Sequence, residues 1–199
     1  MAIALRETVI FDFARSYERG KRAEKMRIIA VVGGKKSGKT TTVEALVTGL
    51  VKHGYKIATV KHVSQRDFTM DTEGKDTWRH AKAGASITTS VATHEIAIIR
   101  KTDISHYKIN DIIKTFENEV DIIVFEGFRK LVEQEGKIPK IVAVKNAEEA
   151  LEASKRFEPL LAFVGPFSTK DLDLSAPYID VLTDPGNLVR VVLGTIEAL

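Results

Sequence analysis

Residues 28–40 read IIAVVGGKKSGKT, and this stretch decides the fold. Its first five residues, 28–32, form a short continuous apolar run of the kind found in buried parallel strands. The glycine-rich residues 33–40 follow, and residues 41–52 then place apolar side chains at helical spacing. We therefore predict a strand, a loop and a helix in that order.

The loop GGKKSGKT fits the P-loop pattern G-x-x-x-x-G-K-[ST], also called Walker A, at every fixed position and in the required strand-to-helix context. Its glycines let backbone N–H groups turn toward phosphate oxygens, and the positive end of the following helix adds attraction. We predict a site for a nucleoside triphosphate and Mg²⁺; the alternative is a glycine-rich turn that opens a helix by chance. The predicted nucleotide-binding residues are Gly33, Gly34, Lys35, Lys36, Ser37, Gly38, Lys39, Thr40 and Thr41.

Two carboxylates are candidates for organising the metal ion and the attacking water. Glu126 ends an apolar run, so in a parallel sheet it would emerge at the carboxyl edge, where ligands bind. Asp71, or Asp67 near it, lies in the polar segment after the second predicted strand. We predict Lys39, Asp71 and Glu126 as catalytic residues and Thr40, Asp71 and Glu126 as metal ligands. The alternatives are a structural salt bridge for Glu126 and a solvated loop position for Asp71.

The rest of the chain alternates strand-like runs with helical segments. The runs lie at 56–60, 121–125, 138–144 and 160–164, and the helical segments include 110–119 and 147–157. This alternation predicts an α/β fold with a mostly parallel sheet and helices on both faces. Two further runs, 86–91 and 95–100, are joined by only three residues, too few for a parallel crossover. We therefore predict an antiparallel β-hairpin at the edge of the sheet.

Composition and charge exclude several classes of protein. The chain has no cysteine, which excludes disulfides and thiolate zinc sites, and it lacks the roughly 20-residue apolar run that spans a bilayer. Its net charge of +3 resides in residues 1–27, which leaves residues 28–199 neutral. A broad basic face for nucleic acid is therefore not indicated. We expect a cytoplasmic protein that binds neither nucleic acid nor a membrane.

Residues 1–27 are predicted to be a helical extension of a nucleotide-binding domain formed by residues 28–199. Val9, Ile10, Phe13 and Tyr17 lie three or four residues apart with charged residues between them, which is typical of an amphipathic helix. The apolar face can pack on its own domain, on a second copy or on a partner. The spacing does not choose among these.

Three motifs, GGKKSGKTT, VKHVSQRDFTMDTEGKDTWRHAKAGA and DIIVFEGFRK, occur in an order that resembles the molybdopterin-guanine dinucleotide biosynthesis adapter proteins, the MobB family. The resemblance covers roughly residues 27–145. It implies a P-loop α/β protein that binds GTP with Mg²⁺, hydrolyses GTP weakly and forms a homodimer through its extra β-structure. It also implies association with the MobA-like guanylyltransferase that joins GMP to molybdopterin, and makes molybdopterin itself a candidate ligand.

The residues of this chain match the family's motifs at some positions and depart from related nucleotide-binding signatures at others. Residues 33–41 match the phosphate loop and residues 126–128 match the third motif, while the middle motif is matched by Asp71, Gly74, Lys75 and Asp76. The guanine-reading N-K-x-D signature is absent, and Lys145-Asn146 is only a reversed, shortened version of it. Gly34 replaces the lysine that related dimeric NTPases place five residues before the loop lysine. The preference for GTP over ATP therefore rests on the resemblance.

Two other functions fit the same loop. One is an ATP-dependent kinase of a small metabolite, in which residues 64–76 and Arg129-Lys130 bind the acceptor, although no arginine-rich lid is obvious. The other is a nucleotide-binding scaffold without useful catalysis. Both use the phosphate loop and differ from the adapter in what else the protein binds.

Overall fold

The computed structural model describes residues 26–65, 67–116, 118–166 and 173–197. They divide into two units, one formed by residues up to 62 together with residues from 109 onward, the other by residues 63–108. The predicted helical extension lies outside the described residues apart from Met26 and Arg27. None of the described helices has the length and apolar character needed to cross a membrane.

The elements alternate along the chain as the sequence predicts. In chain order they are β1 (Arg27–Gly33), α1 (Lys39–Lys52), β2 (Ile57–Lys61), α2 (Asp76–Lys82), β3 (Ile87–Val91), β4 (Ile96–Arg100), α3 (Ile109–Ile113) with a 3-10 turn (Lys114–Phe116), β5 (Ile122–Glu126), α4 (Arg129–Glu133), β6 (Lys140–Ala143), α5 (Ala147–Ser154), β7 (Leu160–Val164), β8 (Tyr178–Ile179) and α6 (Pro185–Glu197). The predicted strands are all present, with ends shifted by at most two residues. Helices α4 and α6 and strand β8 were not predicted.

The first unit is built on a six-stranded sheet in the order β2-β5-β1-β6-β7-β8. Every pairing within it is parallel. The interior strand β5, which lies between β2 and β1, is buried along its whole length, and this explains why its sequence is continuously apolar up to Glu126. The parallel arrangement brings the carboxyl ends of all these strands to one edge.

Helices cover both faces of this sheet. On one face, Ile29 and Val31 of β1 pack in a buried cluster with Leu46 of α1 and Leu188 of α6. On the other face, alternate residues of the same strands join a second cluster that includes Val132 of α4 and Ala153 of α5. The predicted α/β class, with a mostly parallel sheet and helices on both faces, is confirmed.

The second unit contains α2 and the predicted hairpin. Strands β3 and β4 pair antiparallel, with Ile87 opposite Arg100 and Val91 opposite Ile96. The hairpin is thus confirmed, but its expected place at the edge of the large sheet is corrected, because among the described residues β3 and β4 pair only with each other. Local pattern predicts that two runs pair with one another, whereas their further neighbours depend on the whole topology.

Candidate functional site

The candidate site lies at the carboxyl edge of the first unit, where β1, β2 and β5 end side by side. Glu126, the last residue of β5, is in register with Val31 of β1 and with Lys61 of β2. The phosphate loop leaves β1 two residues after Val31. The parallel pairing therefore places the loop, Lys61 and Glu126 together, as strand-end positions in such sheets require.

Gly33 makes the first turn of the loop possible. Its φ is +152°, and a Cβ at this position would lie 2.2 Å from the carbonyl oxygen of Ala143 and 2.6 Å from Oγ of Ser37. Gly38, with φ +90°, then occupies the position before α1. Both backbone conformations are open to glycine and strained for other residues. The chain thus curls tightly into the amino terminus of a helix, which is the backbone form that binds phosphate.

Replacing Gly33 by alanine is expected to destabilise the fold by about 1–3 kcal/mol, because the new methyl group meets backbone atoms that cannot move aside. The free energy of unfolding in urea measures this effect. Gly136→Ala is the matched control, since a Cβ there meets nothing within 4 Å. Equal stability of the two variants would contradict the close approach of Gly33 to Ala143.

Lys39 points back into the loop. Its Nζ donates to the carbonyl oxygen of Gly34 at 2.5 Å. Burial lowers the pKa of the Lys39 ammonium; the negative charge of Glu126 opposes this effect, and the positive charges of Lys61 and Lys145 reinforce it. The positive charges of Lys39, Lys61 and Lys145 therefore repel one another around the phosphate loop. An anionic ligand bound in the loop would reduce this repulsion.

Thr40 and Glu126, both predicted metal ligands, are joined by a hydrogen bond. Thr40 Oγ1 donates to Glu126 Oε1 at 2.9 Å, and Glu126 is only 8% exposed. A hydroxyl and a carboxylate are oxygen ligands of the kind that Mg²⁺ takes, and Mg²⁺ completes its shell with phosphate oxygens and water. No group of three or more His, Cys, Asp or Glu in the described ranges could hold a metal ion alone. The residues fit a magnesium ion that is shared with a phosphate ligand.

Lys61 is a member of this site that the sequence analysis missed. Its Nζ lies 2.9 Å from Glu126 Oε1 and 3.4 Å from Thr40 Oγ1. The available signal was its position at the end of the strand run that precedes the polar segment, but the pairing of β2 with β5 decides which group it faces.

The remaining loop residues have different environments. Ser37 is buried, and its Oγ donates to the carbonyl oxygen of Gly34 at 3.0 Å, which holds the loop closed. Lys35, Lys36 and Thr41 are exposed. Thr42, which was not predicted, is fully buried, and its Oγ1 donates to the carbonyl oxygen of Gly38 at 2.9 Å.

Asp71 belongs to the second unit. Its Oδ1 accepts hydrogen bonds from the backbone N–H of Thr72 at 2.9 Å and from Thr77 Oγ1 at 2.8 Å. Its Oδ2 is buried and has no hydrogen-bond partner among the described residues. Asp71 therefore helps to fold the start of α2, and its predicted catalytic and metal-binding roles stay predictions.

The segment after β6 lies beside the loop. A Cβ on Gly34 would lie 3.6 Å from Cε and 3.7 Å from Nζ of Lys145. Asn146 caps α5, since its side chain accepts from the backbone N–H of Glu149 at 2.9 Å. The Nζ of Lys145 also lies 3.6 Å from Glu149 Oε1. In the reversed Lys145-Asn146 pair, Asn146 thus caps α5 and Lys145 adds positive charge beside the phosphate loop.

Comparison with known proteins extends the match beyond the loop. Residues 28–165 match the sequence model of MobB, molybdopterin guanine dinucleotide synthesis protein B. A Methanocaldococcus jannaschii protein named for molybdopterin-guanine dinucleotide biosynthesis is 35% identical over 124 residues, which are 62% of this chain and 49% of that protein. The Haemophilus influenzae molybdopterin-guanine dinucleotide biosynthesis adapter protein is 29% identical over 116 residues, covering 58% of this chain and 61% of its own. The chain spans less than two thirds of the length of either relative.

The fold has solved counterparts. The crystal structure of Bacillus subtilis MobB superimposes with a TM-score of 0.65 and 24% sequence identity, covering 83% of this chain and 98% of that one. At this identity the superposition establishes the fold alone. Because the family model covers residues 28–165, well over half of the 199-residue chain, the protein belongs to the MobB family.

Proposed function

We propose that the protein is a GTP-binding adapter in molybdopterin-guanine dinucleotide biosynthesis with weak GTPase activity. One observation supports the nucleotide part of the proposal above all. Thr40 Oγ1, in the phosphate loop, donates a hydrogen bond to Glu126 Oε1, at the end of β5, at 2.9 Å. Two motifs 86 positions apart thus supply one oxygen pair beside an anion-attracting helix terminus. Family membership supports the adapter part.

Each residue of the site has a distinct role in this proposal. The backbone N–H groups of residues 33–41 and the ammonium of Lys39 bind the phosphates, while Thr40 and Glu126 would hold Mg²⁺. When bound, Mg²⁺ supplies positive charge to the phosphate oxygens. Lys39 stabilises negative charge that develops on the outer phosphate as water attacks in line. A slow rate is consistent with a site in which Glu126 is the one buried carboxylate among the described residues.

Family membership supports the choice of base and of partner in this proposal. Relatives are named as adapters in molybdopterin-guanine dinucleotide biosynthesis, and guanine is the base of that product. We therefore propose GTP as the nucleotide and a molybdopterin guanylyltransferase as the protein partner. We also propose molybdopterin as a candidate ligand in the same complex.

Turnover and complex formation separate this function from its rivals. We expect slow phosphate release from GTP and co-elution with a purified molybdopterin guanylyltransferase on size-exclusion chromatography. Transfer of phosphate from ATP to a metabolite would favour the kinase. Triphosphate binding without any turnover and without the guanylyltransferase would favour the scaffold.

The hairpin supports a homodimer as part of the proposal. Residues at alternate positions share one face of β3 and β4, and the apolar ones on this face are well exposed. Their exposed fractions are 44% for Ile87, 75% for Val91, 65% for Ile96 and 64% for Ile98. A cluster of this kind is typical of a surface that binds another protein. A second copy of the same face would cover these side chains, and pairing like with like gives a closed two-fold dimer.

Placing charge on this face is expected to separate the copies. We predict that the double variant Ile96→Lys, Ile98→Lys is a monomer in sedimentation equilibrium at concentrations where the natural chain is a dimer, because lysines facing each other repel. Ile104→Lys is the control, since Ile104 is 62% exposed in the same unit but outside the hairpin strands. A monomeric natural chain, or a dimeric double variant, would rule out this interface.

A further inference from the structure

A lysine lies beside Thr40 and Glu126, two of the three predicted metal ligands. The Nζ of Lys61 lies 2.9 Å from Glu126 Oε1 and 3.4 Å from Thr40 Oγ1, and these two oxygens are 2.9 Å apart. The three groups form a closed triangle in which the ammonium is the cation. The same two oxygens are those assigned above to Mg²⁺.

The burial of Glu126 explains why a cation is needed there. The Glu126 side chain is 10% exposed, whereas that of Lys61 is 56% exposed. A carboxylate so deeply buried is costly unless a positive charge compensates it. Lys61 supplies that charge from a flexible, half-exposed side chain, so it can withdraw into water.

Lys61 and a divalent cation would compete for these oxygens. A metal ion bound to Glu126 Oε1 and Thr40 Oγ1 would lie within a few ångströms of the ammonium, and two like charges at that separation repel strongly. Free Mg²⁺ must therefore compete with an internal cation. Mg²⁺ that arrives with a triphosphate gains phosphate ligands as well.

We propose that Lys61 is a built-in counter-ion that keeps free Mg²⁺ out of the nucleotide-free protein and yields its place only when the metal arrives with a triphosphate. This rests on the proposed function, since it assumes that Thr40 and Glu126 are the metal ligands. Lys61 is thus a positioning residue that couples metal binding to nucleotide binding.

Binding of Mn²⁺ to the nucleotide-free protein tests this directly, because Mn²⁺ takes the same oxygen ligands as Mg²⁺ and its free form is counted by electron paramagnetic resonance. We expect the natural chain to bind Mn²⁺ weakly at this site. Lys61→Met removes the competitor and is expected to tighten Mn²⁺ binding roughly five- to tenfold. Lys61→Arg, which keeps the charge, is expected to behave like the natural chain.

Further variants show whether the gain in Mn²⁺ affinity arises at Glu126. Lys52→Met removes an exposed lysine from the last turn of α1 and is expected to leave Mn²⁺ binding unchanged. Adding Glu126→Gln to Lys61→Met is expected to abolish the gain. Lys61→Gln is measured in parallel, with far-ultraviolet circular dichroism on every variant, so that a folding defect of the Met variant leaves a second comparison.

Equal Mn²⁺ affinity in the natural chain and in the folded Lys61→Met and Lys61→Gln variants would overturn the proposal, as would a gain that persists without Glu126. Because no nucleotide is present, the outcome is distinguishable from a failure of the proposed function. Absence of GTP binding would refute the GTP-binding adapter while leaving the competition between Lys61 and Mn²⁺ measurable.

Discussion

Lys39→Ala is expected to weaken binding of Mg²⁺-GTP at least about 30-fold, because it removes a half-buried charge aimed into the phosphate loop. The ammonium sits 2.5 Å from the carbonyl oxygen of Gly34, inside the curl of backbone that the glycines permit. Isothermal titration calorimetry of the variant with GTP in excess Mg²⁺ measures the loss of affinity.

The fold of the Lys39 variant is expected to survive. Burial lowers the pKa of this lysine, which means that its charge is held there at a cost that the truncated side chain no longer incurs. Lys52→Ala is the control, because Lys52 is an exposed lysine of the same helix. GTP affinity unchanged in a folded Lys39→Ala protein would show that residues 33–41 are not the phosphate site.

Glu126→Gln is expected to retain the fold and to lower Mg²⁺-dependent GTP hydrolysis on the order of 100-fold. The amide has nearly the same shape as the carboxylate, and its oxygen can still accept from Thr40 Oγ1, so the buried contact persists. What is lost is the negative charge that would hold the metal ion. Initial rates of phosphate release at several Mg²⁺ concentrations measure the effect.

Glu148→Gln is the matched control for this measurement. Glu148 lies exposed in the first turn of α5, so its neutralisation changes the net charge by the same amount without touching the site. A rate for Glu126→Gln equal to that of the natural chain would assign Glu126 a structural role as the partner of Lys61.

The strand, loop and helix around residues 28–52 were predictable because three local signals agree there. A continuous apolar run, a pair of glycines and a helical apolar stripe each specify one element, and the structure has β1 and α1 within two residues of the predicted bounds. The same reasoning placed Glu126 at a buried strand end, and its position at the carboxyl edge beside β1 is confirmed.

Contacts between segments that are distant in the sequence were harder to predict. The role of Lys61 depends on β2 pairing with β5 in a register that sets it against Glu126, and nothing within β2 encodes that neighbour. Lys140 is a similar case. It interrupts the apolar run 138–144 yet is fully buried, because its Nζ donates to the carbonyl oxygens of Glu135 and Glu158. Only the folded chain reveals such partners.

Helix α6 is different, because its signal was present in the sequence. Pro185 opens it, and Leu188, Val192 and Ile196 recur at four-residue steps on its buried face. The hairpin was predictable in part: its two strands follow from spacing, whereas the finding that, among the described residues, they pair only with each other does not.

Isothermal titration calorimetry of the natural chain with GTP and with ATP in the presence of Mg²⁺ tests the proposed function most directly. We expect one GTP to bind per chain, more tightly than ATP, with an affinity that falls when Mg²⁺ is chelated. Failure to bind either triphosphate, or a clear preference for ATP, would contradict the proposed function.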